Sequence, residues 1–171
     1  MHKEKINLLG FSHESLVNFF QSIDQPKFRA PQLMKWIHQR GVIDFMEMTD
    51  FSMALRNQLS EIAEVKPPLV EECLLSPEGT KKYLIKLDSG SMIEMVKIPE
   101  KKRLTLCISS QAGCALQCTF CATGAQGFER NLSAAEIIGQ LWLANFHEDF
   151  SPAISNVVFM GMGEPLLNVE P

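Results

Sequence analysis

Leu104-Thr105-Leu106-Cys107-Ile108-Ser109-Ser110-Gln111-Ala112-Gly113-Cys114-Ala115-Leu116-Gln117-Cys118-Thr119-Phe120-Cys121 is the stretch on which the reading of this chain turns. Its first part, Leu104 to Ser110, alternates as a half-buried strand does. Leu104, Leu106 and Ile108 take one face, and Thr105, Cys107 and Ser109 take the other. Its second part is a loop carrying three cysteines, spaced C-x3-C-x2-C, with an aromatic residue just before the last. Beyond it, Ser133-Ala134-Ala135-Glu136 is a capping box ahead of Ile137, Ile138, Leu141 and Phe146, so a helix is expected from about residue 133. Asn156 to Met160 then reads as a buried strand ending in Gly161-Met162-Gly163-Glu164-Pro165. Strand, cysteine loop, helix, strand and glycine loop make one βαβ unit with parallel strands. In α/β barrels the chemistry sits on loops at the carboxyl ends of strands, and both loops occupy such ends. Two strands cannot close a barrel, so the unit is expected to be incomplete and to leave an apolar edge prone to self-association.

Three thiolates on one short loop can each ligate one iron of a 4Fe–4S cluster and leave the fourth iron open for a small molecule. Fully ligated electron carriers use four cysteines, so a set of three suggests a cluster that acts on a bound ligand. The competing readings are a partial zinc site and three incidental cysteines. Structural zinc sites come as C-x2-C pairs with a second pair or histidines farther on, and only His147 follows here, inside a helical pattern.

Working outward toward the N-terminus, Ser91 to Ile98 and Lys82 to Leu87 read as β-rich runs joined by Asp88-Ser89-Gly90, a hairpin turn. Glu94 shares a strand face with Met92, Val96 and Ile98, which makes it either an exposed edge carboxylate or a partly buried one. Lys66-Pro67-Pro68 separates this region from a helical one. There, Ser12 to Phe20, Ala30 to Arg40 and about Ser52 to Glu64 are expected helices, with Gly41 ending the second. The domain expectation is therefore a helical accessory domain over 1–65, a linker and hairpin over 66–99, and the start of an α/β core domain over 100–171.

At 171 residues and 46% hydrophobic the chain can bury a core. No apolar run approaches the roughly 20 residues of a membrane span, and the start lacks a leader-like stretch. Five cysteines, an odd number in a globular composition, argue against a disulfide scaffold and for a reducing, cytoplasmic setting. A net charge of −4 does not advertise a nucleic-acid binder, but Lys27, Arg29, Lys35 and Arg40 lie in a stretch free of acidic residues. Lys81-Lys82 and Lys101-Lys102-Arg103 are two further basic clusters, each of which reads alone as a solvated face.

The cysteine loop with its aromatic residue resembles the radical S-adenosylmethionine signature, and Gly163-Glu164-Pro165 resembles that superfamily's GGEP-like element. The resemblance narrows over Ser109 to Cys121, Gly127-Phe128-Glu129-Arg130-Asn131-Leu132, Glu136 to Gln140 and Asn156 to Asn168. These segments are similar to those of the RlmN/Cfr family of RNA methyltransferases, as are Phe28 to Leu33 and Ile93 to Pro99. It implies a partial (β/α) radical barrel after the helical domain and hairpin, with a 4Fe–4S cluster on Cys114, Cys118 and Cys121. It also implies S-adenosylmethionine held through Gly163 and Glu164, an electron donor such as flavodoxin, no membrane, and adenine of 23S rRNA (and of tRNA) as substrate.

The family methylates carbon 2 or carbon 8; carbon 2 is the reading taken here, because that form is the commoner housekeeping enzyme. In the family a methyl-carrying cysteine is activated by the adenosyl radical and adds to the base. A carboxylate then takes the proton, and a second cysteine releases the product by forming a disulfide bond. Glu94 matches the proton acceptor and Cys107 the resolving cysteine. No cysteine here matches the methyl carrier, and Cys73 reads as structural. The resemblance thus implies a C-terminally truncated chain that does not complete the transfer alone. A cluster-binding or RNA-binding remnant without catalysis stays open beside it.

Overall fold

The computed structural model describes residues 5–101, 103–147 and 154–169; Lys102, named above, lies outside the described residues. The chain divides into two compact units, Met1–Pro67 and Pro68–Pro171.

The first unit holds β1 (Ile6–Asn7), α1 (His13–Ser22), α2 (Arg29–His38), a 3₁₀ turn (Phe45–Glu47), α3 (Met53–Ile62) and β2 (Ala63–Glu64). Local chemistry starts the helices. Ser12 Oγ accepts the Ser15 amide at 3.1 Å and Ser52 Oγ accepts the Leu55 amide at 3.3 Å, each satisfying an N–H that a helix start leaves orphaned. Helical spacing then gathers Leu16, Phe20, Leu33, Ile37 and Leu59 into a fully buried core with Phe51. The three expected helices form. The parallel pairing of Ile6 with Ala63 and Asn7 with Glu64, which brings the ends of the unit together, had no sequence signal in so short a run.

The second unit is built on a five-stranded sheet. Its strands are β3 (Leu69–Leu75), β4 (Lys81–Lys86), β5 (Met92–Glu100), β6 (Arg103–Cys107) and, following the loops and helix below, β9 (Asn156–Val158). The spatial order is β3-β4-β5-β6-β9, antiparallel until the parallel β6–β9 pair. The expected hairpin turns at Leu87–Ser91, and its second strand also pairs with β6, so hairpin and βαβ unit share one sheet. Tyr83 opposite Met95 and Ile85 opposite Ile93 line the buried face. Between β6 and β9 run β7 (Gln111–Gly113), α4 (Ala122–Gln126), β8 (Phe128–Asn131) and α5 (Ala134–Phe146). The capping box forms as expected, Ser133 Oγ accepting the Glu136 amide while Glu136 accepts the Ser133 amide at 2.8 Å. The architecture is mixed α/β.

Candidate cofactor site

The cysteine loop is held by a two-stranded clasp that sequence reading missed. β7 pairs antiparallel with β8, Gln111 opposite Asn131, and Cys114 N–H donates to Gly127 O at 2.9 Å as the last rung. Gly113 has φ +72°, and a Cβ there would lie 1.9 Å from Gly127 O, so only glycine permits the closure. Inside the loop, Gln117 is left-handed at φ +48°, and Cys121 N–H donates to Cys118 O at 3.0 Å. Gly124 packs α4 directly on the Cys118 backbone, where a Cβ would meet Cys118 N at 3.0 Å. Backbone contacts thus fix all three cysteines.

Cys114, Cys118 and Cys121 are each half-exposed free thiols. Cys121 opens α4. Although no full side-chain cap bond closes there, the Gly124 amide, with smaller help from Thr123, outweighs desolvation and lowers its pKa toward the ligating thiolate. Among the described residues no three Cys, His, Asp or Glu side chains converge as a ready-made metal-ligand set, the three loop cysteines included. The donor chemistry nevertheless fits a thiolate-ligated cluster: three accessible sulfurs on one anchored loop, with convergence coupled to binding.

The glycine loop bends back over the end of β6. Gly161 N–H donates to Ile108 O at 3.0 Å, and Ser109 Oγ accepts the Met162 amide at 2.8 Å while donating to Glu94 O at 2.6 Å. Gly163 has φ +94°, and a Cβ there would fall 2.5 Å from Gln111 Cβ. Glu164 uses Oε1 to accept the Leu166 amide at 3.1 Å, which caps a short 3₁₀ turn, Pro165–Leu167. An open cleft of about 320 Å³ lies beside the clasp and reaches Met162 of the glycine loop. Gly113, Gln126, Gly127, Phe128 and Met162 line it. The two loops expected to work together are neighbours.

Cys107 and Glu94 also come together. In the β5–β6 register Cys107 faces Val96, so Glu94 is its diagonal neighbour on the same sheet face, at a separation of roughly 7–8 Å typical of such pairs. Cys107 is buried; desolvation raises its thiol pKa, partly offset by a backbone hydrogen bond from Met160. Glu94 is the partly buried one of the two alternatives weighed from sequence. It lies on an inner strand rather than an edge, yet its side chain is 41% exposed and pairs with Lys82 Nζ at 2.7 Å. The open sheet face explains this, because strand order buries backbone but leaves this side uncovered.

One basic residue is placed differently from its expectation. Arg29 Nη1 donates to Gln32 Oε1 and to Asp50 O, and its guanidinium lies over Phe28 and Phe51, so it braces the first unit. Lys27, Lys35 and Arg40 stay exposed, Arg40 stacking on Trp36 with 4.0 Å to the ring centroid. All five cysteines are free, so no disulfide exists within the chain. No helix among the described residues is long and apolar enough to cross a membrane.

Sequence reasoning missed the polar side chains that lock these loops. Gln140 Nε2 donates to Ser109 O and its Oε1 accepts the Ser109 amide. Arg130 bridges Glu136 and Ser89. The available signal was the run Ser109-Ser110-Gln111 ending an apolar strand, because polar residues persist in a core only when paired.

Residues 6–65 match the family model described as the ribosomal RNA large subunit methyltransferase RlmN N-terminal domain. The chain is 54% identical over 171 residues to a dual-specificity RNA methyltransferase RlmN of Pseudomonas putida, covering 97% of this chain and 45% of the relative. It is 52% identical to the protein of that name from Marinobacter nauticus, covering 98% and 46%. A crystal structure of a radical SAM methyltransferase from Sphaerobacter thermophilus superposes with a TM-score of 0.87 at 32% identity, over 96% of this chain and 49% of that one. The chain spans a little under half the length of these curated relatives. With a matching N-terminal domain, identity above one half along nearly all its length, and a fold like that of a radical SAM methyltransferase, this chain is similar to the N-terminal part of the RlmN methyltransferases.

Proposed function

We propose that this protein methylates carbon 2 of adenine in 23S rRNA and in tRNA by radical chemistry, in the cytoplasm, with electrons from a flavodoxin-like donor. The observation that carries the reading is the tie between the two loops, in which Gln111, three residues before Cys114, accepts the Glu164 amide at 3.0 Å, in a chain similar to RlmN methyltransferases along nearly all its length. Cys114, Cys118 and Cys121 are assigned as ligands of a 4Fe–4S cluster, and Gly163 with Glu164 as holders of the S-adenosylmethionine ammonium group. When bound, these groups supply a carbon radical. Adenine carbon 2 requires one, since an amidine carbon is electron-poor and attacks a methyl sulfonium poorly.

The chain's own residues supply two further roles and lack a third, the methyl carrier. Glu94, a carboxylate on the open sheet face, accepts the proton lost from the methylated base. Cys107, on the same face, attacks the sulfur of a methyl-carrying cysteine that none of the other four here matches; the S–S bond forms as that sulfur's bond to the base-bound carbon breaks, the electron pair leaving on the carbon, which takes up a proton to become the product methyl. The exposed Lys27, Lys35 and Arg40 of the N-terminal unit supply phosphate contacts. Free thiols throughout fit a reducing compartment.

The test is anaerobic reconstitution with iron and sulfide, then assay of S-adenosylmethionine cleavage. A cluster with visible absorption that is lost in each of Cys114→Ala, Cys118→Ala and Cys121→Ala, together with reductive cleavage, is the expected result. Full iron loading in all three variants overturns the assignment.

A further inference from the structure

We propose that Gln111 is a positioning residue that sets the Gly163-Glu164 loop against the cysteine loop, so that cofactor binding and cluster environment are coupled through one side chain. The inference rests on the reading of those two loops given above and adds a residue that neither loop contains.

Gln111 is 1% exposed and opens β7, three residues before Cys114. Its amide reaches in two directions. Oε1 accepts the Glu164 backbone N–H at 3.0 Å, and Nε2 donates to Asn131 Oδ1 at 2.8 Å across the clasp. Asn131 Nδ2 in turn donates to Leu167 O at 3.3 Å, just past Glu164. The Gln111 backbone N–H donates to Met162 O at 3.2 Å. Gly163 lies so close on the Gln111 side chain that a Cβ would stand 2.5 Å from its Cβ and 2.7 Å from its Cγ.

An apolar residue would fill this space but satisfy neither the Glu164 amide nor the Asn131 carbonyl, and a buried polar group left unpaired is costly. Glutamine suits the position because one end accepts and the other donates. Strand β7 is rigidly paired through the clasp, so a displacement of Gln111 moves the Glu164 backbone relative to Cys114. Misplacement by an ångström is the scale at which such sites lose function.

The experiment uses this chain reconstituted with iron and sulfide, comparing wild type, Gln111→Leu, Asn131→Leu and the double variant. S-adenosylmethionine is titrated against the electron paramagnetic resonance spectrum of the reduced cluster. Expected are unchanged iron loading in all four and about tenfold weaker binding in Gln111→Leu, as for loss of one such hydrogen bond. Asn131→Leu should weaken binding similarly, with the double variant no weaker than either single one. A ligand-free readout accompanies it: amide exchange at Glu164 should accelerate about tenfold in Gln111→Leu.

Should Gln111→Leu not fold, judged by Trp142 fluorescence, Gln111→Met serves in its place. Wild type that loads no cluster, or shows no response to S-adenosylmethionine, defeats the functional reading and the proposal with it. Wild type that responds while Gln111→Leu binds equally well, or a double variant whose losses add, defeats the proposal alone.

Discussion

Replacing Gly113 by alanine tests whether the clasp, rather than the loop sequence, places the cysteines. Two costs arise. Alanine at φ +72° is left-handed, a strain of roughly 1–2 kcal/mol. The new Cβ would lie 1.9 Å from Gly127 O, so the strand must open by more than an ångström to reach ordinary contact, which breaks the Cys114 N–H to Gly127 O bond. Losing this bond at a half-exposed residue adds about 0.5–1.5 kcal/mol, for a total of about 1.5–3.5 kcal/mol. Gly90→Ala is the control: its φ is +87° but nothing lies within 4 Å of the added Cβ, so only the strain of roughly 1–2 kcal/mol applies. The assay is urea unfolding followed by Trp142 fluorescence in a Trp36→Phe background, which reports the second unit alone. Iron uptake on reconstitution should fall in Gly113→Ala and hold in Gly90→Ala. If Gly113→Ala loses no more stability than Gly90→Ala and takes up iron normally, the clasp does not place the cysteines.

Glu136 is half-buried, which raises its pKa, but hydrogen bonds from Arg130 and Ser133 outweigh this and hold it below the ordinary value of about 4.3. Its stabilisation is therefore complete above that value and lost as pH falls through the lowered folded one. The stability gap between wild type and Glu136→Gln should be constant above about pH 5 and close on acidification; a gap that widens in acid contradicts this. In the first unit, reversing Lys27, Lys35 and Arg40 should reduce the slope of log RNA affinity against log salt by about 2–3, from roughly 0.7–0.9 per phosphate contact; an unchanged slope counts against these contacts. Arg29→Ala should instead lower the unit's melting temperature, since that side chain ties Gln32 and the Asp50 carbonyl, and an unaltered melt would free it for RNA. Under iodoacetamide near neutral pH, exposed Cys73 should label at least about tenfold faster than buried Cys107, whose thiol is pushed up by desolvation; equal rates by peptide mapping would refute the burial.

The elements with strong local signals were legible in the sequence. Ser12, Ser52 and the Ser133–Glu136 box announce helix starts because a cap needs only neighbouring residues. Alternation marked β4, β5 and β6, and the cysteine spacing marked the loop. Hidden were elements whose logic is long-range. β3 carries Glu71, Glu72 and an exposed leucine pair, Leu74 and Leu75, with no clean alternation. The clasp strands are too short to show a period, and β1 with β2 is only a two-residue pairing. The placement of Glu94 needed the sheet order, since one strand's pattern cannot tell an edge from an open face. Gln111, Asn131 and Asn168 carry their meaning in partners 20 to 58 residues away.

A loop whose ends are already bonded to each other imposes little on what it encloses. With Cys114 N–H on Gly127 O and Leu132 N–H on Ser110 O, the entropy of closing this excursion is met by the clasp, and further length adds only slowly to it. The stretch from Cys114 to Gly127 is in that sense a cassette. Residues could be inserted at exposed Ala115 or Leu116, or the whole segment exchanged for another loop, with the five-stranded sheet left standing.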